Sequence, residues 1–203
     1  MEFQVERGNG MRRLRLGVYK LRVIQLVCSL FVFSLLWGWT TTNTVVTYVW
    51  HSPYINSQNL GKTLVLAYTL IPQPLQGVSV EREWVSQLQE SGIDAHSWSA
   101  LAPMIGIPSM REITRVLKGG GFDTLLVTQL LALKQTDPHT RNASVAIVET
   151  RLYIAPDDDV YWSVQSETFL YRYSGQELRH PSRRDLYQFV QTMMRTMAGS
   201  GVL

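Results

Sequence analysis

The sequence predicts an α/β (α+β) protein: a mixed sheet of about five strands with helices packed on it, preceded by one N-terminal hydrophobic helix. Three observations predict this class. The 203 residues are 45% hydrophobic and 17% charged, which suits one packed domain of ordinary size. Runs of strand-forming residues alternate along the chain with segments of helical periodicity. One apolar run lies near the amino terminus, directly after a basic cluster.

The amino terminus has the pattern of a membrane signal. Residues 1–22 hold six Lys/Arg and two Glu, whereas residues 23–203 hold 13 Lys/Arg and 14 Asp/Glu. A basic stretch followed by an apolar run is typical of a secretory signal or a signal anchor, and its positive charges stay in the cytoplasm. We therefore predict a basic cytoplasmic region over 1–22, a signal anchor or signal peptide over 23–40 and a periplasmic α/β domain over 43–203.

The apolar run is at the short end of what spans a hydrocarbon core of about 30 Å. The side chains expected in the membrane are Val23, Leu26, Phe31, Phe33, Leu36, Trp37 and Trp39. No cleavage site of the A-x-A type follows, because Leu36 and Gly38 stand at the two positions where such a site has Ala. We expect a single-pass inner-membrane protein. The alternatives are an outer-membrane-associated or secreted product after cleavage, and a start at Met11.

The first half of the exported domain predicts strands and one helix. The run 45–50 consists of strand formers and suits an edge strand, whereas the nearly continuous apolar run 62–71 suits a central strand. A helix is predicted over 79–91, with Gly92 as its C-terminal cap. A short strand or irregular link follows over 93–101.

A second helix is predicted to begin at Ser109. Ser109 and Glu112 have the spacing of a capping box, in which each residue binds the backbone N–H of the other. The expected buried stripe of this helix is Met110, Ile113, Val116 and Leu117. Three glycines at 119–121 precede a strand, so they indicate a helix end rather than a phosphate-binding loop.

Three strands and a helix complete the domain. The segment 122–133 is a second candidate for a central strand. The segments 144–154 and 160–171 flank a Pro and three Asp, a turn composition that predicts an antiparallel hairpin. The segment 182–197 predicts a helix whose apolar stripe packs on the sheet. That stripe comprises Leu186, Phe189, Val190, Met193, Met194 and Met197.

The predicted hairpin resembles one that recurs in small bacterial envelope lipoproteins. The matching residues are Leu152, Tyr153, Trp162, Ser163, Ser166, Glu167, Thr168 and Phe169. The segments 46–68 and 120–133 match the same pattern, so the resemblance covers about 43–200. It implies the periplasmic α/β domain shared by the curli secretion channel, the amino-terminal domain of the Tol-Pal β-propeller protein and the lipoprotein activators of penicillin-binding proteins. Those lipoproteins carry a lipidated Cys where this chain has Trp39, so we expect no lipidation.

The sequence shows no catalytic or metal-binding pattern. The histidines His51, His96, His139 and His180 are scattered, and Cys28 lies in the apolar run. The aspartates 157–159 lack the Gly and distal Glu of a calcium loop, so a turn is the favoured interpretation. We expect no enzymatic activity, no cofactor and no metal. The near-neutral exported part also argues against nucleic-acid binding.

The expected functional surface is one face of the hairpin. Glu149, Arg151 and Tyr153 alternate on one strand, and Gln165 and Glu167 are expected on the neighbouring strand. Such residues form either a solvated sheet face with cross-strand pairs or a docking surface. The sequence thus predicts a non-catalytic envelope protein that binds the membrane through its N-terminal helix and another envelope protein through its domain. The alternatives are a subunit of an oligomeric secretion or motor assembly, and an envelope hydrolase.

Overall fold

A computed structural model describes residues 43–53, 60–69, 77–102, 107–135, 143–155, 159–171 and 181–203. The expected basic region 1–22, the anchor 23–40 with Trp39, and the turn residues 156–158 lie outside the described residues. Residues Thr42–Leu203 form one of two compact units. Among the described residues, no helix is long and apolar enough to cross a membrane.

In the described part of the chain, six strands form one mixed sheet and four helices accompany it. The elements are β1 (Thr44–His51), β2 (Thr63–Thr69), α1 (Gly77–Glu90), β3 (Ala95–Ser97), α2 (Trp98–Leu101), α3 (Met110–Gly120), β4 (Thr124–Gln135), β5 (Ala143–Ile154), β6 (Val160–Tyr171) and α4 (Arg183–Gly199). The strand order is β1-β6-β5-β4-β2-β3. Strand β2 is parallel to β3 and β4, and the other neighbours are antiparallel. The predicted fold class is confirmed, and the link 93–101 supplies a sixth strand.

The strands occupy the positions that their sequences predict. Strand β1 is an edge strand that pairs with β6, and β5 and β6 form the predicted antiparallel hairpin. Strand β2 lies inside the sheet, and Leu64, Val65 and Leu66 are at most 1% exposed although they alternate between its two faces. A doubly covered strand requires this continuous apolar run.

Helices α1 and α4 cover one side of the sheet. The largest buried side chains of this layer are Trp84, Leu88, Leu126, Trp162, Val190, Met193 and Met197. The Trp84 indole N–H donates to Thr128 Oγ1 at 3.0 Å, and its ring meets the Phe189 ring edge-on at 6.4 Å between centroids. The predicted packing of Met193 and Met197 on the sheet is therefore confirmed.

Helices α2 and α3 cover part of the other side. Their cluster comprises Leu64, Leu66, Trp98, Ile113, Phe122, Leu125 and Val127, which come from β2, β4 and the adjoining helices. The predicted stripe of α3 is wrong at Met110, which is 59% exposed. Met110 is the first residue of α3, and the helix enters the cluster one turn later, at Ile113. Val116 and Leu117 are half-buried against the same cluster.

Capping boxes begin helices α3 and α4. At α3, Glu112 Oε2 accepts from the backbone N–H of Ser109 at 2.7 Å, as predicted, and the hydrogen bonds from Ser109 lower the pKa of Glu112. At α4, Ser182 and Asp185 form the equivalent box. Asp185 Oδ1 also accepts from Asn43 Nδ2 at 2.7 Å, so the start of α4 is tied to the residue before β1.

Helix α1 approaches β2 very closely at its first residue. A Cβ at Gly77 would overlap the carbonyl oxygen of Ala67. One turn later, the carboxylate of Glu81 is fully buried and accepts from the backbone N–H of Ala67. The close approach therefore requires glycine at the start of α1.

Candidate functional site

The sheet has one half-face that no described helix covers. On this side, α2 and α3 pack over β2 and β4, together with Tyr153 at the end of β5. Along β6, the side chains that face α1 and α4 are buried, and those on the other side are half-exposed. We name the uncovered surface the open face. It comprises Val45, Tyr48, Trp50, Ile147, Glu149, Arg151, Ser163, Gln165 and Glu167.

A row of directly paired residues crosses five strands of this side. Tyr48 is opposite Gln165, Gln165 is opposite Glu149, Glu149 is opposite Gln129, and Gln129 is opposite Tyr68. The Tyr68 hydroxyl donates to Gln129 Oε1 at 3.3 Å. Because directly opposed side chains lie on the same face of a sheet, this central row is one line of polar groups with a tyrosine at each end.

Two further rows flank the central row on the open face. One places Val45 opposite Glu167 and Glu167 opposite Ile147. The other places Trp50 opposite Ser163 and Ser163 opposite Arg151. On β1, the apolar side chains Val45, Tyr48 and Trp50 are 51%, 55% and 40% exposed. The open face therefore has polar and charged groups over β5 and β6 and an apolar margin along β1.

Two charged groups of the open face, Arg151 and Glu149, form an ion pair. Arg151 Nη2 lies 2.9 Å from Oε1 and 2.8 Å from Oε2 of Glu149, two residues earlier on the same strand. A hydrogen bond to the Tyr153 hydroxyl, and then the bond to Glu149, raise the pKa of Arg151. Burial, and then the nearby Tyr153, raise the pKa of Tyr68. The guanidinium is thus held in place while its side chain remains 42% exposed.

The structure places the five sequence-predicted residues on one side of the sheet. Glu149, Arg151, Gln165 and Glu167 lie on the open face, and Tyr153 lies at its boundary, packed against the α3 cluster. Sequence reasoning missed the residues that complete the rows, namely Tyr48, Trp50, Gln129 and Tyr68. Alternation along a strand predicts which residues share a face. It does not predict which residues of different strands lie opposite one another, and that register is what brings these four residues into the rows.

The described histidines do not form a metal site. His96 Nε2 lies 2.8 Å from Asp94 Oδ1, and its ring meets the Phe122 ring edge-on. His51 lies at the exposed end of β1. Within the described ranges, no group of three His, Cys, Asp or Glu side chains is placed to hold a metal ion. Cys28, His139, His180, Asp157 and Asp158 lie outside the described residues.

An apolar cavity of about 70 Å³ lies on the other side of the sheet. It is bounded by the first turns of α1 and α4 and by residues of four strands, β2, β4, β5 and β6. Its lining includes Gly77, Leu130, Val148, Leu170 and Phe189. The cavity is separate from the open face, because these strand residues point toward α1 and α4.

Comparison with known proteins gives similarity to solved structures only. No protein-family model and no curated protein matches the chain. A variant PelC dodecamer from Paraburkholderia phytofirmans is 13% identical over 76% of this chain and 96% of that chain, with a TM-score of 0.49. Lipoprotein GNA1162 from Neisseria meningitidis is 13% identical over 68% of this chain and 99% of that chain, with a TM-score of 0.47. The hypothetical protein CT253 from Chlamydia trachomatis is 15% identical, covers 68% and 92%, and has a TM-score of 0.37.

Proposed function

We propose that this chain is a non-catalytic cell-envelope protein whose domain binds another protein through the open face. The central row, from Tyr48 to Tyr68, is the observation that supports this proposal most. It offers hydroxyl, amide and carboxylate groups in one line across five strands. A partner would place its own hydrogen-bonding groups against this central row, where solvent would otherwise bind.

The composition of the open face suits protein recognition. Tyr, Trp and Arg are enriched at protein interfaces and carry much of their binding free energy. The open face holds Tyr48, Trp50 and Arg151. Because Glu149 and Tyr153 already orient the Arg151 guanidinium, little side-chain freedom would be lost when a partner carboxylate binds there.

The test of the binding surface is photo-crosslinking in cells. A benzophenone amino acid replaces Gln165 on the open face, and in a matched control it replaces Gln191 on α4. The proposal expects an adduct with a second protein species from position 165 and none from position 191. Equal adducts from both positions, or no adduct from position 165, would contradict it.

A charge reversal then tests the same surface independently. Arg151→Glu places two carboxylates side by side on the open face and should abolish the adduct, because like charges repel and the guanidinium is lost. Arg195→Glu makes the same change at an exposed position of α4 and serves as the control. Circular dichroism of both variants verifies that they fold. An unchanged adduct in Arg151→Glu would contradict the proposal.

The proposed location is the inner membrane, with a single-pass anchor at 23–40 and the domain in the periplasm. It rests on the basic flank, the apolar run and the Trp at position 39. Membrane fractionation with labelled fatty acid tests it. The chain should stay in the inner membrane without label, whereas Trp39→Cys completes a lipidation signal and should gain label. Label in the unaltered chain, or its release as a soluble protein, would contradict this location.

A further inference from the structure

Strand β1 is a long edge strand of the described sheet. It has eight residues, pairs with β6 on one side, and contains no Asp, Glu, Lys, Arg or Pro. Its exposed large apolar residues are Val45, Tyr48, Val49 and Trp50. Proteins commonly block such edges with charges, proline or short strands, because unpaired backbone groups invite another strand. The opposite edge, β3, is only three residues long.

We propose that β1 pairs in antiparallel fashion with β1 of a second copy of this chain, about a twofold axis. The two sheets then continue into one another through backbone hydrogen bonds. This inference goes beyond the proposed function and does not depend on it, because the open face over β5 and β6 stays free in the pair. A twofold arrangement uses the same strand on both copies, so no second surface has to be complementary.

The faces of β1 restrict the registers that this pairing can take. Its open-face residues are opposite Glu167, Gln165 and Ser163 of β6, whereas its other residues are opposite buried side chains that face the helices. The open-face residues are Val45, Tyr48 and Trp50, and the helix-side residues are Thr44, Val46, Val49 and His51. An irregularity between Val46 and Tyr48 leaves Thr47 as an extra residue, which shifts the alternation by one.

An axis between Thr47 and Tyr48 pairs all eight residues of the strand. Val45 then lies opposite Trp50 of the second copy on the open face, whereas Val46 lies opposite its Val49, and Thr44 opposite its His51, on the helix side. Moving the axis onto Tyr48 would place open-face residues against helix-side residues along the strand. Since one face of β1 packs over buried side chains, such mismatched registers are costly. The extra residue thus places the axis between two residues, and this register uses the whole strand.

The apolar composition of β1 also favours a second copy as the occupant. Strand β1 contains no Asp, Glu, Lys or Arg, so the axis brings no like charges together. Val45, Val49 and Trp50 are 51%, 38% and 40% exposed. Because Val45 lies opposite Trp50 in this register, the exposed apolar residues of one copy cover those of the other.

Charge pairs at Tyr48 test the proposal. Tyr48 is 55% exposed and adjoins the axis, so a substitution there places two new side chains within about 7–8 Å of each other in the pair. The full chain, purified in detergent micelles, should be dimeric by native mass spectrometry. Tyr48→Lys and Tyr48→Glu should each raise the dimer dissociation constant, by roughly fivefold or more. An equimolar mixture of the two variants should recover a heterodimer.

Control variants distinguish a loss of β1 pairing from misfolding and from the binding of another protein at β1. Tyr187→Lys makes the same change at an exposed tyrosine of α4 and should leave the dimer unchanged. Near-ultraviolet circular dichroism should match the unaltered chain in every variant. A chain that is monomeric at all concentrations would overturn the proposal. A mixture of Tyr48→Lys and Tyr48→Glu that stays monomeric would also overturn it. Opposite charges at position 48 restore binding only where two copies of this chain pair, and they would not restore the binding of a strand from another protein.

Discussion

Glu81 Oε1 accepts a hydrogen bond from the backbone N–H of Ala67 at 3.0 Å, and so joins α1 to β2 inside the protein. The second oxygen, Oε2, accepts from the backbone N–H of Ser99 at 2.9 Å. Glu81 is fully buried. One carboxylate thus serves two backbone donors, one in β2 and one in α2.

Replacing Glu81 should therefore destabilise the domain strongly. Glu81→Gln keeps one acceptor oxygen but turns an amide N–H toward one of the two donors. A buried donor left without a partner costs about 1–3 kcal/mol. Urea titration of the full chain in micelles measures the free energy of unfolding. Glu90→Gln, at the exposed end of α1, is the control and should change it by less than about 0.5 kcal/mol. Equal losses in both variants would contradict this role.

Ser166 should be better replaced by alanine. Its hydroxyl is fully buried in β6, and among the described residues it has no hydrogen-bond partner. Burying an unpaired hydroxyl costs about 1–3 kcal/mol. Ser166→Ala removes the group and leaves a void of one oxygen, so we expect stability to rise by roughly 1 kcal/mol. Thermal unfolding should show a higher midpoint. A lower midpoint would mean that the hydroxyl has a partner in the native protein.

The start of α3 should respond to acid. Hydrogen bonds from Ser109 lower the pKa of Glu112, so the folded state favours its ionised form. This stabilisation is fully present above the ordinary glutamate pKa of about 4.3, and it is lost as the pH falls through the lowered value. Carboxyl titration by nuclear magnetic resonance should give a higher midpoint for Glu112 in Ser109→Ala than in the unaltered chain. Identical midpoints would contradict the capping box.

Trp162 should matter far more to stability than His96. Trp162 has no exposed surface, and its indole N–H donates to Ser200 Oγ at 3.3 Å. Truncating a core tryptophan to alanine costs about 3–5 kcal/mol. His96 pairs with Asp94 at the surface, where ion pairs contribute about 0–1 kcal/mol. Denaturant titrations of the two alanine variants compare them. Similar losses would show that β6 is not part of the core.

The domain should fold without its first 41 residues, because Thr42–Leu203 is one compact unit. A chain that starts at Thr42 keeps Asn43 and all six strands. We expect it to be soluble and to unfold in one cooperative transition, followed by tryptophan fluorescence. A chain that starts at Ser52 lacks β1 and should lose this cooperativity. Aggregation of the longer chain would contradict the prediction.

Local patterns predicted most of the fold. The continuous apolar run of β2, the capping box at Ser109 and the hairpin of β5 and β6 are all readable over a few residues, and the structure contains them. The sequence does not predict the exposure of Met110, because that exposure depends on where α3 meets the sheet. The second capping box has Asp185 in the position where the usual pattern has Glu or Gln, and for this reason it was missed.

Only part of the candidate site was predictable. Alternation placed Glu149 and Arg151 on one face, and the hairpin brought Gln165 and Glu167 beside them. The pairing of Tyr48 with Gln165 joins residues that are far apart in sequence. No short pattern encodes that register, since it follows from the edge position of β1 and from the irregularity at Thr47.

The pairing of β1 with β6 can form only after both strands have been synthesised. Asn43, at the start of β1, donates to the carbonyl oxygen of Phe169 in β6, 126 positions later. A ribosome that adds about 5–20 residues per second needs roughly 6–25 s to bridge that distance. During this interval the apolar strand has been made and its neighbour has not. Strand β1 therefore stays without its neighbour until Val160–Tyr171 has been made, and slow synthesis prolongs its exposure to aggregation.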